Sequence, residues 1–391
     1  MTLDLAASCI AGLAALIWAT LLLGRGWFWM MRARDSRQPP PDPARWPSVA
    51  AVIPARDEAQ TIAAVIASLA RQDYGGSLSI VLVDDGSGDG TAALASAAAA
   101  AAGWRGGFTV VRAASLADGW TGKVAALAQG VAHLERQAAM PAFLWLTDAD
   151  IAYAPDTLRG LVARAEDGRL VLTSLMAELR CVSLAERWLV PAFVFFFAML
   201  YPFAWVNQPQ ARTAAAAGGC MLVRAEALAA AGGLASIKNA LIDDCALGAR
   251  LKLQGPIWLG LSHRAQSLRG YGDMADFGKM VARSAYAQLR YSPLWLAATA
   301  AGMAVVYLAP PLLALFGGGV SHWLGLAAWL AMVLAFAPIA AFYQRPILSG
   351  AALPLVAAAY TAFTLYSAYE YWRGRGGLWK GRVQAIAARR P

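Results

Sequence analysis

The chain of 391 residues carries 33 Lys+Arg and 24 Asp+Glu, so 15% of its positions are charged, where an ordinary soluble protein has about 25%. With 59% hydrophobic residues and 15 tryptophans, it holds more apolar surface than one water-soluble globule buries, which points to lipid-facing segments and excludes a single small binding module. The net charge of +9 gathers beside apolar runs, at Arg25, Arg32, Arg34 and Arg37 and again at Arg373, Arg375, Lys380, Arg382, Arg389 and Arg390. That is the signature of a cytoplasmic membrane face and not of a nucleic-acid-binding stripe, so no nucleic-acid partner is expected. Cys9, Cys181, Cys220 and Cys245 show no CxxC spacing, which predicts neither a disulfide framework nor a zinc site and suits a reducing compartment.

Leu3 to Leu23 is an apolar run long enough to span a bilayer, followed by Arg25, the aromatics Trp27, Phe28 and Trp29, and then Arg32 and Arg34. Basic residues after the apolar core, not before it, argue for an uncleaved anchor. Residues 1–31 are therefore assigned to a transmembrane anchor and residues 32–47, with Pro39, Pro40, Pro41 and Pro43, to a proline-rich tether.

From residue 48 to residue 293 short apolar runs alternate with helical ones. Strands are expected at Val49 to Ile53, Leu78 to Val83, Phe108 to Val111 and Phe143 to Thr147, with helices such as Gly122 to Gln137 and the alanine-rich Ala92 to Ala102 between them. The alternation predicts an α/β fold with a mostly parallel, Rossmann-like sheet, ligands at the carboxyl ends of its strands, and acidic motifs just after strands. Trp188 to Val206 is apolar but contains Pro191 and Pro202. It reads as an interfacial or re-entrant helix within the domain, because a single crossing would put Asp148 and Asp244 on opposite sides of the membrane. Leu294 to Phe316, Trp323 to Phe342 and Ile347 to Tyr371 are each long enough to span, making residues 294–371 a membrane region of about three segments before a basic tail at 372–391. Three crossings would place that tail outside, against its charge, so one segment, with Pro310-Pro311 or Pro354 as the marks of a broken span, is expected to enter without crossing.

Four acidic motifs carry the chemistry. Pro54-Ala-Arg56-Asp57-Glu58 ends the first strand in a turn that exposes Asp57 and Glu58 at the sheet edge, placed to meet a nucleotide. Asp84-Asp85-Gly-Ser-Gly-Asp-Gly90 sets two carboxylates before its glycines; they would repel a pyrophosphate but can accept hydrogen bonds from a base or a ribose. Asp148-Ala-Asp150 follows a hydrophobic strand, and if the strand geometry continues, alternate residues turn both carboxylates toward one hard cation, Mg2+ or Mn2+. Asp243-Asp244 opens a helix whose Leu247 and Leu251 face inward, with Asp243 as its cap and Asp244 free to act as a base. Between them, the glycine-flanked Lys123 can reach a diphosphate, and Arg283 and Arg290 can place guanidiniums on phosphates near the membrane. His133, His263 and His322 have no ligand-like spacing.

The ordered set PARDE, VDDGSGDGT, GWTGK, TDAD, GGCML and IDD resembles the family-2 inverting glycosyltransferases of GT-A fold over about residues 48–293. The anchor, the central apolar helix, the GWTGK turn, the QLRYS segment and the tail motif GLWKGR look most like the membrane-bound, hopanoid-biosynthesis-associated branch. The resemblance implies a bacterial inner-membrane enzyme with a cytoplasmic catalytic domain and transmembrane helices at both ends. It would take a nucleotide-sugar donor, a UDP-sugar by expectation, and a lipid acceptor of hopanoid or isoprenoid type. Pro54, Arg56, Asp57, Glu58, Asp84, Asp85, Lys123, Asp148, Arg283 and Arg290 would bind the donor; Asp148 and Asp150 would hold the metal; Asp244, with Asp243 beside it, would be catalytic. The chain departs from the family at Asp243, usually Glu, and at Ala287-Gln-Leu-Arg-Tyr291, where processive synthases carry QxxRW; this favours transfer of one sugar. A polyprenyl-phosphate acceptor, already anionic, is the rival enzyme reading, and a catalytically silent membrane scaffold the rival from another class.

Overall fold

The computed structural model describes residues 2–36, 40–137, 139–378 and 380–384, so the expectations for Arg37, Arg389 and Arg390, and for parts of the tether and tail, lie outside the described residues. Among the described residues eight strands form one sheet: β1 (Val49–Ala55), β2 (Leu78–Asp84), β3 (Phe108–Arg112), β4 (Phe143–Thr147), β5 (Ile151–Tyr153), β6 (Leu172–Glu178), β7 (Cys220–Arg224) and β8 (Ile257–Ser267), in the order β3-β2-β1-β4-β7-β6-β8-β5. The first four pair in parallel, as the alternation of strand and helix requires. The second half of the sheet is mixed: β7 runs antiparallel to β4 and to β6, and β5 antiparallel to β8. The antiparallel sense follows from where β7 begins, with Cys220 opposite Thr147 at the carboxyl end of β4. Pro54 fits inside β1 because pairing with β4 ends at Val52 opposite Leu146, so its missing N–H breaks no rung on that side.

Both faces of the sheet are covered, which is why its central strands read as unbroken apolar runs. Val49, Ala51 and Ile53 pack with the helices Ile62–Ala70, Thr91–Ala101 and Thr157–Asp167. Ala50 and Val52 face the helices Gly122–Glu135, Leu184–Leu200 and Asp243–Lys252. The core of the second face continues into the C-terminal helices, where Phe195 meets Phe336 and Phe196 meets Tyr360 edge-on.

Among the described residues four helices are long and apolar enough to cross a membrane: Asp4–Leu23, Pro293–Phe316, Gly319–Phe342 and Ile347–Trp372. Pro293–Phe316 carries a π-type turn at Ala304–Leu308, just before Pro310 and Pro311, whose missing N–H groups disturb the ladder there. The central apolar run is a 17-residue helix, Leu184–Leu200, with a separate turn at Phe203–Val206 after Pro202. Its start is a capping box: Ser183 Oγ accepts from Glu186 N, and the buried Glu186 carboxylate accepts from the N–H groups of Val182, Ser183 and Tyr271.

The first apolar helix does not hang free of the domain. Arg25 Nε donates to Met199 O at 2.8 Å and its guanidinium lies over Trp205. Within the tether, Leu261 N donates to Ala33 O and Asp35 N to Leu261 O, extending the β8 edge, while Asp42 pairs with Arg159.

Candidate active site

The carboxyl ends of β1, β2 and β4 carry Asp57-Glu58, Asp84-Asp85 and Asp148, all at one edge of the sheet. Asp243 and Asp244 come from elsewhere: they open the helix Asp243–Lys252 after the turn Leu234–Ile237, so the rule that every acidic motif follows a strand fails for this pair. Asp243 is also not the cap. Ile242 holds the cap position, and Asp243 is the first helical residue with its carboxylate turned to Lys123. Leu247 and Leu251 are buried, which aims this helix as its pattern predicts.

Lys123 is the hub. Thr121 N donates to Lys238 O, fixing the glycine-flanked turn so that Lys123 enters the site from the first turn of Gly122–Glu135. Its Nζ lies 2.8 Å from Asp148 Oδ1 and 3.3 Å from Asp243 Oδ2. Burial works against its charge, but these two carboxylates outweigh it and hold the ammonium above its ordinary range. Asp148 is raised by burial, against Lys123 and with help from the neighbouring charge of Asp150.

Asp244 is held by backbone. Oδ2 accepts from Gly218 N at 2.9 Å and Oδ1 from Cys245 N at 2.7 Å. Burial first, and then the adjacent Asp243, push its carboxyl up to about 6. The Gly218-Gly219 loop that reaches it is braced from below: Tyr153 Oη donates to Gly219 O and shares a 2.5 Å hydrogen bond with Thr147 Oγ1. On the side of the long apolar helices, Gln288 Nε2 donates to Tyr201 Oη at 2.8 Å, and Tyr201 contacts the Cys245 thiol beside Asp244. Tyr201 and Gln288 thus join the surroundings of Asp244 to the end of the central apolar helix.

The strand geometry does not continue through Asp148-Ala-Asp150. β4 stops at Thr147 and the two acids sit in the turn before β5. Asp150 Oδ2 instead pairs with Arg269 Nε at 2.8 Å, and the same guanidinium reaches Glu58 Oε1 at 2.7 Å. Among the described residues no group of three His, Cys, Asp or Glu side chains forms a metal cage. A hard divalent cation still fits, since Mg2+ is commonly held by one or two carboxylates plus substrate phosphates. The cations engage one oxygen of each acid, Asp148 Oδ1 and Asp150 Oδ2.

At the carboxyl ends of β1 and β2, Asp57 adopts φ +52° and its Oδ1 accepts from Gly88 N, while Asp84 Oδ1 accepts from Ser87 N. Both acids thereby shape the glycine-rich turn. Arg56 Nη1 donates to Asp85 O at 2.5 Å, locking the two strand ends together. Asp85, buried, pairs with Arg382 at 2.6 Å, and Glu58 with Lys380 at 2.9 Å. Arg283 and Arg290 are not drawn into this cluster. Arg283 acts on Tyr271 from the helix Met274–Gln288, and Arg290 is exposed in the left-handed turn after it. Sequence reasoning missed Arg269, which belongs to no motif; its one signal is its place at the end of the long strand β8, beside Gly270. His133 lies on its helix beside Gln137, and His263 stacks on Phe342 with its Nδ1 2.9 Å from Glu178 Oε2, a carboxylate outside the cluster at the sheet edge.

Residues 50–231 match the model of the glycosyl transferase family 2 domain. A curated N-acetylglucosaminyltransferase of Mesorhizobium japonicum is 29% identical over 151 residues, which is 38% of this chain and 32% of that relative; the chain thus spans about a third of the relative's length. A mannosyltransferase from Pyrobaculum calidifontis, solved with GDP-mannose and Mn2+, superposes with a TM-score of 0.51 at 20% identity, covering 95% of this chain and 100% of that one. Its likeness is one of fold. The segment carrying β1 to β7 is thus the part of the chain that is similar to the family 2 glycosyltransferase domain, and it lies on a mixed sheet.

Proposed function

We propose that the chain is a membrane glycosyltransferase that moves one sugar from a nucleotide-sugar donor to a lipid hydroxyl, with inversion at the anomeric carbon. The observation that carries this reading is Asp244: a carboxylate raised to about 6, fixed by two backbone N–H groups, beside a lysine that also binds the carboxylate after β4. A base in that range is deprotonated at neutral pH and still basic enough to take a proton from an attacking hydroxyl. Lys123 stands between the base and the DxD turn, where it can neutralise the departing diphosphate. Asp148 and Asp150 would hold a divalent cation, which when bound supplies further charge neutralisation to the leaving group. Asp57, Asp84 and Asp85 line the edge where base and ribose would be read, and Arg56 stiffens it.

A lipid acceptor is supported by the path from membrane to base. The helix Leu184–Leu200 leads to Tyr201, which touches Cys245 next to Asp244. The hopanoid class rests on the sequence resemblance alone. For topology, Lys380 and Arg382, beyond the last apolar helix, contact Asp57, Glu58 and Asp85. This supports an even number of crossings after residue 293. Pro293–Phe316 and Gly319–Phe342 would cross, and Leu353–Trp372 would lie against the domain, where Tyr360 Oη donates to Leu189 O and Tyr371 stacks on Tyr291. The basic tail then stays on the domain's side.

The test uses the full chain purified in detergent, a panel of nucleotide sugars, Mn2+ or Mg2+, and bacterial lipid extract, read by nucleoside diphosphate release and by mass spectrometry of lipid-linked sugar. A glycolipid made by the wild type and lost by about 10²–10⁴-fold in Asp244→Asn is expected. Full activity of Asp244→Asn would instead favour an acceptor that is already anionic, and no donor cleavage at all would sink the enzyme reading.

A further inference from the structure

The residues after the last apolar helix return to the donor edge. Arg382 Nη1 lies 2.6 Å from Asp85 Oδ2, and Lys380 Nζ lies 2.9 Å from both Glu58 Oε1 and the carbonyl of Asp57. In the other direction Arg56 Nε donates to Lys380 O at 3.3 Å. Lys380 itself takes φ +46°, a conformation that costs a side-chain-bearing residue energy, and Gly381 follows at φ +80°. The turn is thus held by its contacts at both side chains and backbone.

We infer that Lys380 and Arg382 belong to the donor site and supply two of the cations that let it accept an anionic nucleoside diphosphate. This rests on the proposed donor chemistry. The electrostatic argument is direct: Asp57, Glu58, Asp85, Asp148 and Asp150 crowd the edge that an anionic diphosphate would have to enter, and Arg56, Lys123 and Arg269 offset them only in part. The donor capacity of the two side chains is not exhausted either. An ammonium has three N–H donors and a guanidinium five. Lys380 spends two on Glu58 and Asp57, and Arg382 one on Asp85, among the described residues. The remaining N–H groups are available to phosphate oxygens without giving up the carboxylates. In the same contacts the tail neutralises Asp85, 8% exposed at its side chain, so that it does not add a bare negative charge to the edge.

The experiment is calorimetric binding of UDP and of GDP to the full chain in detergent, at low and at high salt, for wild type, the double variant Lys380→Ala/Arg382→Ala, and Arg382→Lys. The double variant should bind the preferred nucleotide about tenfold more weakly at low salt, the loss of roughly one charge-assisted contact's worth of affinity. The gap should shrink at high salt, and Arg382→Lys should recover part of it. In turnover with the matching sugar donor, KM for donor should rise with kcat nearly unchanged. Equal affinities in wild type and double variant would overturn the inference while leaving the donor reading intact. Tighter binding in the double variant would overturn it by showing that the tail competes with the nucleotide. A wild type that binds neither nucleotide would defeat the donor reading and the inference with it.

Discussion

Arg269 and Asp150 meet at 2.8 Å, and the same guanidinium closes on Glu58, so one chain-borne cation sits on a carboxylate that a divalent metal would need. Removing it leaves two acids facing each other. Arg269→Gln is expected to lower stability by on the order of 1 kcal/mol without metal, given partial solvent screening of the pair, and so to lower the melting temperature by a few degrees. Mn2+ should stabilise the variant more than the wild type, because the metal no longer competes with the arginine. Thermal unfolding across a Mn2+ titration checks this, and identical Mn2+-induced shifts in both proteins would count against it.

The pH profile reports on Asp244. A general base works only when deprotonated, so kcat/KM should rise with pH through about 6 and then level off. Burial is the larger cause of the shift and the charge of Asp243 the next. Asp243→Asn removes that repulsion and should move the acid limb to lower pH, whereas Lys123→Gln removes an attractive charge and should move it to higher pH, each curve scaled to its own plateau. In stability the same shift has the opposite sense: folding favours protonated Asp244, so its contribution is complete below about pH 4 and is lost as pH rises through about 6. Limbs that coincide in all three proteins would assign the base elsewhere.

Gly218 has no room for a side chain. A Cβ there would come within 3.0 Å of Lys123 Nζ and 3.3 Å of Asp244 Oδ2. The lysine end can give by a few tenths of an ångström at little cost to the fold, which shifts it relative to Asp148, 2.8 Å away. Gly218→Ala should therefore keep the wild-type melting temperature within about 2 °C while reducing kcat by about tenfold or more, since small misplacements of catalytic groups are expensive. Unchanged turnover would show that Lys123 does not need its present position.

The half of the sheet built by local rules was legible in advance. Val49–Ala55, Leu78–Asp84, Phe108–Arg112 and Phe143–Thr147 are apolar runs bounded by turns, and each begins and ends within two residues of its expected limits. β7 was not legible as antiparallel, because the direction of Cys220–Arg224 is set by the long excursion through Leu184–Leu200 and not by its own residues. Asp57, Asp85 and Asp148 could be placed at one edge because strand ends share an edge in such sheets. The pairing of Lys123 with both Asp148 and Asp243 depends on where the helix Asp243–Lys252 docks. Arg269, Lys380 and Arg382 come from segments remote in sequence from the acids they meet, and no spacing rule connects them.

Lys252 ties the helix of Asp244 to the central apolar segment. From the last position of Asp243–Lys252, its Nζ donates to the carbonyls of Trp205, Val206 and Thr213 at 3.1, 2.8 and 2.6 Å. These carbonyls lie beyond the break at Pro202, where the short helix Phe203–Val206 ends; Trp205 O also accepts from Gln208 N at 3.3 Å. Lys252→Met keeps the length of the side chain and removes every donor, which leaves carbonyls partly unsatisfied at a cost of on the order of 1–3 kcal/mol. The melting temperature should fall accordingly, and amide exchange should accelerate in the segment 203–213 before it does in β1 or β4, whose amides depend on the sheet. Uniform acceleration across the domain would mean that the lysine supports the whole core, and no change would mean that solvent replaces it.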